Sequence, residues 1–273
     1  MFNYGLVIII TIFPMLNANA QRLELDSEFF NSTKSDFKEA VLKQKLPLAA
    51  WIQNLEEEQA SLICLGETHN NEFRKFYAEF FFSSYKIDAL FLEAKPVQVA
   101  KFLRSVKSGE SHVDLLGVDI SAVIKAALDK NPKIKIYGVE PTVEQKKEIT
   151  FDQSKRLNRE GYIAQNIMDK FVPGKKHVML YGANHCSLND IGLGGAIPAY
   201  RLLTNILPKE SVRSVKTIFY KPSDYFSAKL SLAGLESETM VIKDADNVNP
   251  KSYKYVWKLK EYFENYTDII FVN

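Results

Sequence analysis

The strongest constraint on the fold is an alternation that runs most of the chain's length. Leu62 to Leu65, Ala89 to Leu92, Ile134 to Val139, His177 to Tyr181, Val215 to Tyr220 and Asp268 to Val272 are short apolar runs of strand length. Thr239 to Ile242 reads as a further, edge strand. The stretches between the runs carry helical spacing. Phe73, Phe76, Tyr77, Phe80 and Phe81 recur at intervals of three and four and predict a helix over 71–84 whose aromatic stripe packs in a core. Further helices are predicted over Val97–Lys107, Ser121–Lys130, much of Thr142–Met168, Ile197–Leu207 and Tyr253–Phe263, with shorter ones from Ser35-Asp36 to Lys43 and over Leu48–Leu55. Strands alternating with helices predict an α/β fold: a mostly parallel central sheet flanked by helices on both faces, with a small helical insertion after the second strand. No internal repeat and no linker divides the chain, so residues 21–273 are expected to form one domain.

The first twenty residues differ in kind. Leu6 to Met15 is apolar but for Thr11, and Ala18-Asn19-Ala20 makes a small-x-small cleavage site before Gln21. Residues 1–20 therefore read as a secretory signal, although Met1 to Tyr4 carries no Lys or Arg. The expectation is an exported protein, periplasmic or secreted, with no transmembrane span after cleavage. A net charge of +2 without a basic stripe leaves no electrostatic footprint for nucleic acid. Two cysteines, Cys64 and Cys186, lie beside polar strand-end motifs. Export permits a disulfide between them; the alternative is two small buried hydrophobes.

Chemistry concentrates where the strands end. The first runs into Gly66-Glu67-Thr68-His69-Asn70, the second ends on Glu93, the third on Glu140, and the fourth enters Gly182-Ala183-Asn184-His185. Sites in open α/β sheets lie just past the carboxyl ends of strands. Glu67 and His69 are two apart and share a direction in extended backbone, and Glu93 would face the same cleft if its strand were the neighbour. A neutral imidazole can take a proton from water, and adjacent carboxylates fix its tautomer and raise its basicity. His112 has no partner at ligand spacing and reads as surface, and His177 begins its strand and reads as structural. Gly192-Leu193-Gly194-Gly195 lacks the P-loop lysine and the dinucleotide spacing.

Together, Gly66-Glu67-Thr68-His69, Glu93, the helical segment around Arg159 to Asn166 and Gly182-Ala183-Asn184-His185 resemble the superfamily of erythromycin esterases, ChaN-type haem-binding proteins and Tiki/TraB proteins. Phe102 to Gly109, Ile136 to Glu140 and Asp268 to Phe271 are similar to the erythromycin-esterase branch. That branch implies a metal-free hydrolase of an ester, lactone or amide in a small molecule or peptide. His69 would be general base on water, Glu67 and Glu93 would orient it, and His185 and Arg159 would stabilise the oxyanion. The Tiki branch implies a metal-dependent peptidase, with Mn, Co, Fe or Zn held by His69, His185, Glu67 and Glu93. The ChaN branch implies haem bound through a tyrosine.

Overall fold

The computed structural model describes residues 39, 43–109, 113–149, 153–219, 239–247 and 261–273. Residues 1–20, expected to be a secretory signal, the expected cap at Ser35-Asp36, His112 and most of the helix expected over 253–263 lie outside them.

Eight strands form one sheet in the order β1-β9-β10-β8-β2-β7-β3-β6. They are β1 (Lys45–Pro47), β2 (Leu62–Glu67), β3 (Ala89–Leu92), β6 (Lys135–Gly138), β7 (His177–Gly182), β8 (Val212–Phe219), β9 (Met240–Ile242) and β10 (Asp268–Val272). From β10 to β6 every pairing is parallel, and β9 alone runs against its neighbours β10 and β1. The fold is thus α/β with a mostly parallel sheet. Alternate residues of the central strands enter two cores. Ile63, Leu65, Leu90, Leu92, Val178 and Leu180 meet one layer of helices: α1 (Leu48–Glu57), α2 (Asn71–Phe76), α3 (Pro96–Lys107) and α4 (Ser121–Lys130). Leu62, Cys64, Phe91, Met179 and Tyr181 meet the other layer, where α6 (Gln153–Met168) and α7 (Ala199–Thr204) pack. A short α5 (Val143–Glu148) precedes α6.

Four sequence expectations change. Thr239–Ile242 is not an edge: β9 is sandwiched between β10 and β1, a three-residue strand too short to read from periodicity. β2 and β3 are not neighbours, because β7 is inserted between them and pairs with both. The insertion after β3 is not purely helical: the hairpin β4 (Asp114–Leu115) and β5 (Val118–Asp119) lies between α3 and α4. Finally, α2 continues as a π-helical turn over Tyr77–Phe82. The wider turn shifts the phase, so Phe81 and Phe82 are buried while Phe80 stays 48% exposed.

Both cysteines are buried and form a disulfide that ties β2 to the 3-10 turn Ala183–Cys186 after β7. The glycine loop before α7 wraps the carboxylate of its own Asp190, which accepts from the amides of Gly192, Leu193 and Gly195. An anion is therefore already supplied there by the protein.

Candidate active site

The carboxyl ends of β2, β7 and β3 lie side by side, and their last residues build one polar cluster. Glu67 closes β2 and is 3% exposed. The chain then turns through His69, whose φ of 47° places it in the left-handed region. It is this turn, not extended backbone, that brings the ring back: His69 Nδ1 lies 2.9 Å from Glu67 Oε1. Asn70 caps α2 by accepting from the Phe73 amide at 2.9 Å, fixing where the turn ends. From α2, Arg74 reaches under the sheet end. Its Nε and Nη2 donate to Glu67 at 3.0 and 2.8 Å, and its Nη1 donates to the carbonyls of Leu115 and Val118 in the hairpin. Glu67 is thereby held on both sides. Burial pushes its carboxyl up, but the hydrogen bonds from His69 and Arg74 and the Arg74 charge prevail and keep it below the usual range.

Glu93 follows β3 and bridges across β7. Its Oε2 accepts from the Gly182 amide at 2.9 Å and lies 3.5 Å from His69 Nε2. The His69 imidazole, 31% exposed, therefore stands between two carboxylates. The Glu67 hydrogen bond raises its pKa above 6.5 against the pull of burial, and the Glu93 and Glu67 charges add to the rise. Gly182 lies at the centre of this arrangement. A Cβ there would sit 3.1 Å from His69 Nε2 and 3.3 Å from both Glu93 Oε2 and His185 Cδ2.

A second half is built on α6. Arg159 Nη2 donates to Glu140 Oε1 at 2.5 Å and to Glu93 Oε1 at 3.1 Å, and Nη1 lies 3.6 Å from Glu160. Burial opposes its charge, yet these carboxylates hold the guanidinium protonated beyond its ordinary value. His185 Nδ1 is 2.9 Å from both Glu160 oxygens, and its Nε2 is 3.2 Å from Arg159 Nη1. Glu160 also accepts from the Ala199 amide that opens α7, and the Tyr181 hydroxyl donates to Glu140 at 2.9 Å. With Nδ1–H given to Glu160, a neutral His185 presents Nε2 as an acceptor to Arg159. In that form it supports the guanidinium.

Glu67, His69, Glu93, Arg159 and His185 thus meet in one cluster. The sequence reading missed Arg74, Glu160, Gly182 and Tyr181 as partners and gave Glu140 no role. Two of these had a signal. Glu160 lies on the helix face of Ile163, Ala164 and Ile167, and Arg74 sits within an aromatic stripe; both are charges on buried faces.

The donors do not suit a divalent cation as arranged. Glu93, Glu140 and Glu160 already share Arg159, and the guanidinium stands among the groups that would have to converge on a metal. Among the described residues no cluster of three or more metal-ligating side chains is poised for an ion. Tyr181 itself does not fit as a haem ligand, since it is buried, donates to Glu140 and has its pKa raised far above the ordinary value, first by burial and then by Glu140 and Glu93; the resemblance points to no particular tyrosine.

Fold and site define an α/β protein with a strand-end His/Glu/Arg cluster. No protein-family model and no curated protein matches the chain. Among solved structures it is similar to a succinoglycan biosynthesis protein, with a TM-score of 0.61 and 11% identity over 89% of this chain and 97% of that one. A protein from Bacillus cereus matches with a TM-score of 0.56 and 11% identity, over 88% of this chain and 97% of that chain. An erythromycin esterase mutant in its open conformation matches with a TM-score of 0.54 and 11% identity, over 85% and 95% of the two chains. At such identity the likeness is one of fold: this chain has the architecture seen in erythromycin esterase.

Proposed function

We propose that the protein is an exported hydrolase of an ester, lactone or amide, with His69 as the general base. The observation that carries this reading is the placement of His69: a half-buried ring with Nδ1 anchored on buried Glu67 and Nε2 beside Glu93. Neutral His69 would take a proton from water at Nε2 as the hydroxide oxygen bonds to the substrate carbonyl carbon. The negative charge then moves to the carbonyl oxygen, where the Arg159 guanidinium would offset it. Collapse of the tetrahedral species breaks the bond to the leaving group, which takes the proton back from His69. Glu67 and Glu93 stabilise the imidazolium in between. Positioned base catalysis of this kind contributes roughly 10²–10⁴-fold. The fold shared with erythromycin esterase supports carbonyl chemistry without naming the substrate.

Export with removal of residues 1–20 is part of the same reading. The Cys64–Cys186 disulfide supports it, because such bonds persist in oxidising compartments.

The test is hydrolysis of a panel of small esters, lactones and amides by residues 21–273. Wild type and His69→Ala are compared, each with and without chelator. Loss in the variant and indifference to chelator are expected. Loss of wild-type activity with chelator would replace this mechanism by a metal-dependent one, and unchanged activity in His69→Ala would refute the base assignment. If no substrate in the panel turns over, a Soret titration with haemin decides for or against the binding-protein reading.

A further inference from the structure

The opposite end of the sheet holds a cavity of about 380 Å³, within the range of small-molecule sites, roughly 300–1,000 Å³. It opens at the amino ends of β3, β7 and β6, where Ala89, His177 and Lys135 begin their strands. The proposed active site lies at the carboxyl ends of the same strands. Five lysines line the cavity, Lys86, Lys133, Lys135, Lys170 and Lys175, against one carboxylate, Asp88. Their net charge exceeds the +2 of the entire chain.

Among the described residues, Lys175 alone of the five has an ion-pair partner, Asp88 at 3.6 Å. That carboxylate is also held by the Lys176 amide at 3.0 Å. Lys86, Lys133, Lys135 and Lys170 have no carboxylate of the described residues within ion-pair distance. The remaining polar groups of the wall are mostly committed. His177 donates from Nδ1 to the Ser61 carbonyl and accepts at Nε2 from the Val172 amide. Asn131 donates to the Ile87 carbonyl and accepts from the Lys133 amide. What remains for a ligand is a set of ammonium donors and the Tyr137 hydroxyl. Behind them the wall is stiff, because the rings of Tyr137, Phe91, His177 and Phe171 stack in succession. A concave site offering donors and positive charge from several elements recognises closely spaced anionic oxygens.

We propose that this cavity binds a compact polyanion carrying two or more phosphate or carboxylate groups. The site is independent of the hydrolytic reading, since it shares no residue with the cluster around His69. Isothermal titration calorimetry with inorganic tripolyphosphate and with citrate, at low ionic strength, tests it and separates the two chemistries. Saturable binding of one molecule per chain is expected for at least one of them. The variant Lys86→Ala/Lys133→Ala/Lys135→Ala should weaken it by on the order of tenfold or more. Lys75→Ala/Lys101→Ala/Lys146→Ala makes the same change in net charge elsewhere and should leave it intact. If the cavity triple variant does not fold, Lys86→Glu, outside any strand, gives the same comparison. Equal losses in both triple variants, or no saturable binding of either anion, would overturn the proposal. So would binding confined to long oligonucleotides.

Discussion

Breaking the Cys64–Cys186 bond should cost this protein a large part of its stability. The two cysteines are separated by 122 residues, so the cross-link closes a long loop in the unfolded chain. The chain-entropy relation gives about 5 kcal/mol for a loop of that size. A whole domain has a net stability of only about 5–15 kcal/mol, so the reduced protein would be marginal. For a chain of this length, that difference lowers the melting temperature by about 10–20 °C. The effect should also be local. Cys186 ends the turn that carries His185, and the Cys186 carbonyl accepts from the Ser214 hydroxyl of β8. Cys64→Ala/Cys186→Ala would leave that turn held by its hydrogen bonds alone. Calorimetric scans of wild type with and without reductant, and of the double variant, read the magnitude. Reductant should lower the wild-type transition to near that of the variant and leave the variant unmoved. A fall of less than about 2 °C in both would refute the loop-closure reasoning. Two free thiols in protein matured in an oxidising compartment would refute the bond itself.

The hydrolytic rate should rise with pH through the His69 pKa, above 6.5, because only the neutral ring accepts a proton. Glu67→Gln removes the first upward influence on that pKa and should move the rising limb to lower pH; an unmoved limb would assign it to another group. The same raised pKa makes His69 a stabilising cation below the imidazole value of the unfolded chain, and that contribution is lost as pH rises through the folded value. Arg74→Met strands the Glu67 carboxylate in the core and should cost about 3–5 kcal/mol in urea unfolding. Adding Glu67→Leu should recover part of the loss, and strictly additive costs would argue against the pairing. Asp268 is fully buried beside Arg213 and accepts from Trp51 Nε1 at 3.1 Å; burial pushes its pKa up to about 6. A raised acid pKa means the folded state prefers the proton, so this group's contribution weakens as pH climbs from 3.8 to about 6. Asp268→Asn should therefore gain roughly 1–3 kcal/mol at neutral pH and nothing below about pH 4, read from urea midpoints across pH.

Much of the architecture is legible in the residues themselves. Apolar runs such as Leu62–Leu65 and Ala89–Leu92 can be buried on both faces only in a covered sheet, and their polar endings mark its working edge. Strand order is a different matter. Nothing local to Leu62 or Ala89 says that His177 will come between them, since that pairing is decided by contacts across the whole chain. Arg213 and Ser214 hid the start of β8 because their polar side chains interrupt its apolar run, although both are accommodated by specific partners. Arg213 pairs with Asp244 at 2.5 Å and Glu58 at 2.7 Å, and Ser214 donates to the Cys186 carbonyl. In the site, the five residues singled out from the sequence sit at strand ends or on the facing helix. Their supports Arg74 and Glu160 are helical charges whose partners arrive only through tertiary packing. His69 illustrates the limit most sharply. The period-two rule paired it with Glu67 for the wrong reason, since a left-handed residue, and not extended backbone, brings the two together.

The strand order also sets a timetable. β2 carries Glu67 and sits in the middle of the sheet, yet the strands that flank it are residues 177–182 and 212–216. A chain emerging from its amino end displays this buried strand with both edges bare until residue 177 is made, and with one edge bare until residue 212. Pairings so distant in sequence form slowly and leave apolar surface open to association in the meantime. The protein should therefore refold slowly from denaturant, depend on a holding chaperone while incomplete, and yield no active fragment that stops short of β8.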